Sequence, residues 1–137
     1  MRDYLRRIIE LSALIYCKQV RIQGLWSSVT YPGVSYEERV QSTRDLNNHS
    51  DKILKIIELE KEVEKMTEEM KERQSIIKEA SAKLENEEIA RVISLRYIEL
   101  KSWEEIAKTI NKSTRWAMKL HNKGIKKLKE IVDFTSN

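Results

Sequence analysis

Cysteine, proline and glycine are scarce in this chain of 137 residues, which has one Cys, one Pro and three Gly. The single cysteine, Cys17, allows neither a disulfide within the chain nor a paired-cysteine metal site, which is typical of a reducing cytoplasm. Few helix breakers and a charged fraction of 35% predict an all-α fold. No apolar run approaches the roughly 18 residues of a membrane span, and no signal-peptide pattern is present. We therefore expect a cytoplasmic protein and no contact with a membrane.

Patterns that indicate catalysis are also missing. The two histidines, His49 and His121, are isolated in the sequence. No glycine-rich phosphate loop is present. We therefore expect no enzyme activity, no cofactor and no metal site.

Charge is distributed unevenly, although the formal net charge is only +4. Residues 100–137 contain nine Lys or Arg and four Asp or Glu, whereas residues 51–88 contain eight and twelve. A basic C-terminal segment is what binding to nucleic-acid phosphates requires. The alternative is a solvated surface whose asymmetry has no function.

The first 85 residues predict two helices joined by a loop. Apolar residues at helical spacing predict a helix over about residues 3–26. Pro32-Gly33 predicts a turn within a loop over residues 27–42. A heptad repeat then predicts one long, coiled-coil-like helix over about residues 43–85. Its seam consists of Ile56, Leu59, Val63, Met66, Met70, Arg73, Ile77, Ala80 and Leu84, with Arg73 as the one charged member.

The length of the second helix predicts a homodimer. At 1.5 Å per residue it spans roughly 60 Å, whereas the first helix spans roughly 35 Å. The first helix therefore covers only part of the seam and leaves Met70, Ile77 and Leu84 to be covered otherwise. A second copy of the long helix would cover them, because such a stripe is rarely left exposed. The alternative is that the C-terminal residues fold back over the seam within one chain.

Residues 86–137 predict a separate domain of three short helices. The first two are expected over about residues 87–98 and 103–109, and the third from Ser113. Ser102 and Glu105 have the spacing of a capping box. The candidate core positions are Ile89, Val92, Ile93, Leu95, Ile98, Trp103, Ile106, Ala107, Ile110, Ala117, Leu120, Gly124, Ile125 and Leu128.

The second and third of these helices have the spacing of a helix-turn-helix. About three residues separate them, and Ser113 is placed to cap the third helix. Four sequence elements are specific: LRYI at 95–98, WEEIA at 103–107, RW at 115–116 and LH at 120–121. With these, the region resembles region 4 of bacterial sigma factors. It is more similar to small region 4-like proteins that phages and prophages of Gram-positive bacteria encode.

This resemblance implies an all-α protein whose C-terminal three-helix domain places its third helix in the major groove of double-stranded DNA. The implied base-reading residues are Thr114, Arg115, Met118 and Lys119. The implied phosphate contacts are Lys101, Ser102, Lys112, Asn122 and Lys123.

Individual residues of the third helix carry further expectations. Arg115 and Lys119 would pair with guanine, while Met118 and the Thr114 methyl group would pack on a thymine methyl group. Trp116 would pack against Trp103, in preference to lying on the sugar-phosphate backbone. His121 would pack or bond a phosphate. The chain departs from the family pattern at Ala117, Met118 and Gly124, and glycine in a helix costs about 1 kcal/mol relative to alanine.

The expected function is sequence-specific DNA binding by a transcription regulator of phage or prophage origin, which would also contact RNA polymerase. Two alternatives remain open. One is a module that binds RNA polymerase or another protein with little DNA specificity of its own. The other is a DNA-packaging adaptor resembling small terminase subunits, which also combine a helix-turn-helix with helical oligomerisation.

Overall fold

The described part of this computed structural model contains only α-helices. The structure describes residues 1–30 and 42–132, with side chains described for 1–29 and 49–132. It contains no strand within those ranges, so the predicted all-α class is confirmed for them. None of the described helices is both long enough and apolar enough to cross a membrane. The five helices are α1 (Arg2–Thr30), α2 (Ser42–Ser81), α3 (Glu87–Tyr97), α4 (Trp103–Ile110) and α5 (Thr114–Ile131).

The helix ends near the predicted loop differ from expectation. Helix α1 continues to Thr30, so residues 27–30 are helical and the prediction of a loop starting at 27 is wrong. The predicted turn at Pro32-Gly33 lies outside the described residues.

The long helix α2 ends at Ser81, about four residues before the predicted end. Beyond it the backbone tightens, since the amide of Lys83 donates to the carbonyl of Ala80 at 3.1 Å. Asn86 then adopts an extended conformation and its side chain accepts the amides of Glu88 and Ile89 at 2.9 and 3.2 Å. This cap starts α3 and requires backbone angles that a continuous helix does not allow. The heptad pattern continues through this turn because Leu84 is still buried.

By internal contacts the chain divides into two units. The terminal unit consists of residues 1–10 and the chain from residue 69 onward, and the middle unit consists of residues 11–68. The division falls inside α1 and α2, whereas the sequence predicts domains of residues 1–85 and 86–137. Independent folding of those two domains stays a prediction.

The core of the terminal unit combines both ends of the chain. Leu5 and Ile8 of α1 and Ile77 of α2 are fully buried in one cluster with the three shorter helices. Gln74 of α2 also donates to the carbonyl of Tyr97 at 2.9 Å, which satisfies a backbone acceptor at the end of α3. The buried candidate positions of the three short helices are Ile89, Val92, Ile93, Leu95, Ile106, Ala107, Ala117, Leu120, Gly124, Ile125 and Leu128, while Ile98, Trp103 and Ile110 are half-buried.

The part of the seam that motivated a dimer is covered within one chain. Ile77 is 0% exposed and Leu84 9% exposed, and Met70 packs against the same cluster. The reasoning from an uncovered stripe at these positions is therefore wrong, because the terminal unit itself covers it. A homodimer joined through the long helix stays a prediction and would have to use other residues of α2.

The charged member of the seam, Arg73, is held by specific partners. Its guanidinium donates to Glu69 at 3.1 Å and to the carbonyl of Tyr4 at 3.2 Å. It also lies 4.5 Å above the ring of Tyr4. Arg7 donates to the same Glu69 carboxylate at 3.1 Å. A cation therefore replaces an apolar seam residue where a carboxylate, a backbone carbonyl and an aromatic face receive it.

The middle unit has a small core and a large apolar surface. Leu11, Ile15, Ile56 and Leu59 are buried there, and Lys18 pairs with Glu62 at 2.8 Å. Several large apolar side chains of the same unit remain exposed, with Leu54 at 64%. They are Leu14, Tyr16, Val20 and Trp26 of α1 and Ile53, Leu54 and Ile57 of α2.

Gly124 is a point of close approach between α5 and α3. A Cβ atom at this position would lie 2.9 Å from Cγ2 of Ile89 and 2.9 Å from both Cγ1 and Cδ1 of Ile93. Both isoleucines are buried, and their β-branched side chains have few alternative rotamers in a helix. Close packing of α5 against α3 therefore requires glycine at position 124.

The neighbouring residues Ile76 and Ile77 provide a matched test of the terminal core. Ile77→Ala should lower the free energy of unfolding by about 2–5 kcal/mol, because it leaves a cavity in a fully buried position. Ile76 is 38% exposed, and Ile76→Ala should cost less than about 1 kcal/mol. Chemical denaturation followed by circular dichroism measures both. If both substitutions lowered the free energy of unfolding equally, the assignment of Ile77 to the buried face of α2 and of Ile76 to its exposed face would be wrong.

Replacement by alanine should change the free energy of unfolding in opposite directions at Gly24 and Gly124. Gly124→Ala should lower the free energy of unfolding by about 1–3 kcal/mol, because overpacking outweighs the gain of about 1 kcal/mol in helix propensity. At Gly24 nothing lies within 4 Å of the added Cβ, so Gly24→Ala should raise stability by up to about 1 kcal/mol. Denaturant melts of both variants test this. If Gly124→Ala instead raised the stability, the space between α3 and α5 would have to be larger than the 2.9 Å approaches allow.

Candidate nucleic-acid interface

The predicted capping box starts α4. The Ser102 hydroxyl accepts the amide of Glu105 at 3.2 Å, and the Glu105 carboxylate accepts the amide of Ser102 at 3.3 Å. Hydrogen bonding of the Glu105 carboxylate by the Ser102 amide, and next by the Ser102 side chain, holds the pKa of Glu105 below its ordinary value. A charged carboxylate at this position also interacts favourably with the helix dipole. Both capping contacts predicted from the sequence are confirmed.

A turn of three residues joins α4 to α5. Asn111 ends α4 in the left-handed conformation, with φ 57° and ψ 45°, which asparagine tolerates better than most residues. The amide of Lys112 returns to the carbonyl of Ala107 at 3.0 Å. Ser113 then caps α5 by accepting the amide of Trp116 at 3.1 Å, as its sequence position predicts. The direction in which α5 leaves the turn is therefore fixed by a backbone hydrogen bond on the α4 side and by the Ser113 side-chain cap on the α5 side.

The four candidate base-reading residues are all exposed on the first turns of α5. Ala117 and Leu120 on the same turns are buried, so the helix has one packed face and one free face. The exposed set is Thr114, Arg115, Met118 and Lys119.

Helix α5 is strongly basic. Its 18 residues include six Lys or Arg and one Glu. The cationic side chains are exposed, whereas Ala117, Leu120, Ile125 and Leu128 are buried. This arrangement gives a positive surface that continues along the helix beyond the base-reading candidates.

The five candidate phosphate contacts have different surroundings. Lys112 and Lys123 are exposed. Lys101 lies 3.8 Å from Glu105. Ser102 already gives its amide to Glu105, so a phosphate would have to displace that carboxylate to bind there. Asn122 accepts a hydrogen bond from Arg2 at 3.2 Å.

The two tryptophans of the region do not pack on each other as predicted. Trp103 lies edge-on to His121, with ring centroids 4.9 Å apart, and its ring lies 4.7 Å from the Arg96 guanidinium carbon. Trp116 is 40% exposed and donates to Glu88 at 3.4 Å. Its ring also lies 5.8 Å from the Lys119 ammonium. The favoured packing of Trp116 on Trp103 is wrong because His121 and Arg96 occupy the Trp103 ring.

His121 is a buried core residue. It is 7% exposed and forms a hydrogen bond between Nε2 and the Tyr97 hydroxyl. Burial lowers the pKa of His121 to about 4, although the Asn122 side chain acts in the opposite direction. The imidazole is therefore neutral at physiological pH. Of the two roles expected for it, the structure supports packing.

The sequence reasoning missed the contribution of the N-terminus. Arg2 reaches Asn122 across 120 positions of the chain, and Leu5 and Ile8 enter the core under α5. No local signal connects these residues with the C-terminal segment. The amphipathic pattern of α1 indicates only that its apolar face is covered.

Comparison with models of protein families, with curated proteins and with solved structures finds no match for this chain. The resemblance to sigma region 4 and to its phage relatives therefore stays a prediction.

Stability should depend on pH through His121. The unfolded histidine has a pKa near 6.5, so between pH 6.5 and 4 the unfolded chain binds more protons than the folded chain. The free energy of unfolding should therefore be unaffected by this residue above pH 6.5 and fall as the pH drops towards 4. The loss should reach at most about 3 kcal/mol. Denaturant titrations at several pH values measure the slope.

His121→Gln isolates this effect from acid-sensitive carboxylates. The variant should be less stable at neutral pH but show a flatter dependence between pH 6.5 and 4.5. His49→Gln is the matched control and should keep the wild-type slope. An unchanged slope in His121→Gln would contradict the neutral buried histidine.

Proposed function

We propose that this chain is a sequence-specific double-stranded DNA-binding transcription regulator, of the kind encoded by phages and prophages. In this proposal α4, the turn and α5 act as a helix-turn-helix, and the start of α5 enters the major groove. The observation that carries the proposal is the free face of α5. It exposes Arg115, Met118 and Lys119 on a helix whose opposite face is anchored in the core.

The composition of this face suits base edges. Arg115 has the planar fork that pairs with O6 and N7 of guanine, and Lys119 can reach the same acceptors. Met118 is 43% exposed, and its apolar side chain would be desolvated by a thymine methyl group. Thr114 offers a methyl group and a hydroxyl beside it. Two cations and two apolar groups would therefore read a mixed sequence.

The surrounding charge supports binding to the backbone. Lys112 in the turn and Lys123 on the second half of α5 flank the candidate reading face and are exposed. Phosphate contacts of this kind supply affinity without sequence preference and make binding salt-dependent. Lys112 and Lys123 are the better-placed candidates, because Ser102 and Lys101 are engaged with Glu105 and Asn122 with Arg2.

The middle unit favours a second candidate function, binding to another protein. Two of its exposed apolar residues, Tyr16 and Val20, line a groove of about 510 Å³ between α1 and α2. Contiguous apolar surface of this kind is typical of protein interfaces. RNA polymerase is the partner that the resemblance implies, and a second copy of the chain is the partner that the predicted homodimer implies. Light scattering decides the latter, since a monomer has a mass of 16.2 kDa.

Selection of bound duplexes from a random pool by the purified protein tests the proposal directly. An enriched motif would support a sequence-specific regulator. Recovery of random sequences only would contradict it and favour the protein-binding alternative.

Substitutions on α5 should separate base reading from phosphate binding. Arg115→Ala should cost about 1–3 kcal/mol of binding free energy at the selected site and relax the preference at one base pair. Lys112→Ala should weaken binding to all sequences alike and reduce the salt slope by about one. Fluorescence anisotropy at several salt concentrations measures both effects.

Lys65→Ala provides the matched control, because Lys65 is exposed on α2 in the middle unit. It should leave affinity and salt slope unchanged. If Arg115→Ala and Lys112→Ala behave like this control, α5 is not the reading helix.

A further inference from the structure

A small cationic pocket lies in the terminal unit, and none of the four candidate base-reading residues lines it. Its volume is about 190 Å³, and three arginines line it: Arg2 and Arg6 from α1 and Arg96 from α3. Tyr97 and His121, which are joined by their hydrogen bond, lie at the same pocket. None of the described residues that line it carries a carboxylate.

Two of the three guanidinium groups are held by neutral groups. Arg2 donates one hydrogen bond to the Asn122 side chain at 3.2 Å. Arg96 donates one to the carbonyl of Lys101 at 2.9 Å and stacks 4.7 Å from the Trp103 ring. Each guanidinium has five N–H donors, so most of these donors remain for another acceptor. The neutral partners fix the side chains without cancelling their charge.

The third guanidinium has only a weak acidic partner. Arg6 lies 3.7 Å from Asp3, and both side chains are largely exposed. Ion pairs in such surroundings are screened by water and contribute little. Arg2 and Arg6 also stand four positions apart on one helix, where like charges repel each other.

All three arginines act electrostatically on one group of the pocket, the hydroxyl of Tyr97. Burial raises the pKa of the Tyr97 hydroxyl, and Arg96, Arg2 and Arg6 each act to lower it. All three positive charges are therefore within Coulomb range of the Tyr97 oxygen. The neutral His121 beside it adds no negative charge. An anion placed at this pocket would interact favourably with all three guanidinium groups.

We propose that this pocket binds a phosphate dianion, either inorganic phosphate or the terminal phosphate of a small monoester. Arginine is the side chain best suited to bidentate bonding of phosphate oxygens. The volume lies below the roughly 300–1,000 Å³ of pockets for drug-sized ligands, so it accepts the phosphate group and not a whole nucleotide. The proposal does not depend on DNA binding.

Thermal melting and isothermal titration calorimetry of the full chain test this proposal with inorganic phosphate as the probe. Sodium chloride at the same ionic strength gives the reference, because phosphate also stabilises proteins without binding a site. In the wild type, phosphate should raise Tm beyond the chloride reference and in a saturable way. Glycerol phosphate should do the same if a monoester fits.

The double variant R2Q/R6Q should weaken phosphate binding at least tenfold. Both side chains are exposed and lie outside the core, so the variant should fold. Without phosphate its Tm should equal or exceed that of the wild type, because repulsion between the two charges is removed. R21Q, an exposed arginine of α1 in the middle unit, is the control and should keep the wild-type response. R96Q tests the third arginine and should also weaken binding.

Equal responses of the wild type, R2Q/R6Q and R21Q to phosphate would overturn the proposal. A lower Tm of R2Q/R6Q in chloride alone, with phosphate binding retained, would likewise assign the arginines a structural role. If R2Q/R6Q weakens binding to a DNA duplex while no variant or wild type binds free phosphate, these arginines contact the phosphodiester backbone and the dianion site is refuted.

Discussion

The close approach of α5 to α3 at Gly124 is the contact on which the candidate interface depends. Helix α5 has to expose polar and cationic groups along one face, so its other face must supply all of its anchorage. That face lies against Ile89 and Ile93 with no side chain at position 124 between them. Short helices are marginal on their own in water, and α4 has only eight residues. The helical conformation of α4 and α5 is therefore stabilised by this packing and by the caps at Ser102 and Ser113.

The three short helices do not build this core alone. Leu5 and Ile8 from the start of α1 and Ile77 from the end of α2 are fully buried in the same cluster. Gln74 closes the end of α3, and Arg2 reaches Asn122 beside the candidate reading face. The position of α5 therefore depends on the start of α1 and on the end of α2.

Features with a local chemical cause could be predicted from the sequence. The Ser102–Glu105 capping box and the Ser113 cap depend on residues within one turn, and the buried face of α5 follows from the 3.6-residue period. The end of α2 could not be placed, because the apolar heptad continues to Leu84 while the Asn86 cap has already broken the helix. The partners of Trp103 could not be predicted either, because His121 and Arg96 contact its ring only through tertiary packing. The amphipathic pattern of α1 predicts that its apolar face is covered, but nothing in the pattern indicates that Leu5 and Ile8 join a cluster with Ile77.

The structure separates its cations into two chemically different sets. Along α5 the positive charges are mostly lysines, which are flexible, strongly hydrated point charges and suit an extended phosphate backbone that they need not grip in one geometry. Around the small pocket they are arginines, two of them fixed by Asn122 and by Trp103 with the Lys101 carbonyl. Fixed guanidinium groups lose less freedom when an anion binds and match the oxygens of one phosphate group. Asn122 belongs to α5 and also holds Arg2 at the pocket. The two cationic sets are therefore linked through one side-chain hydrogen bond of 3.2 Å.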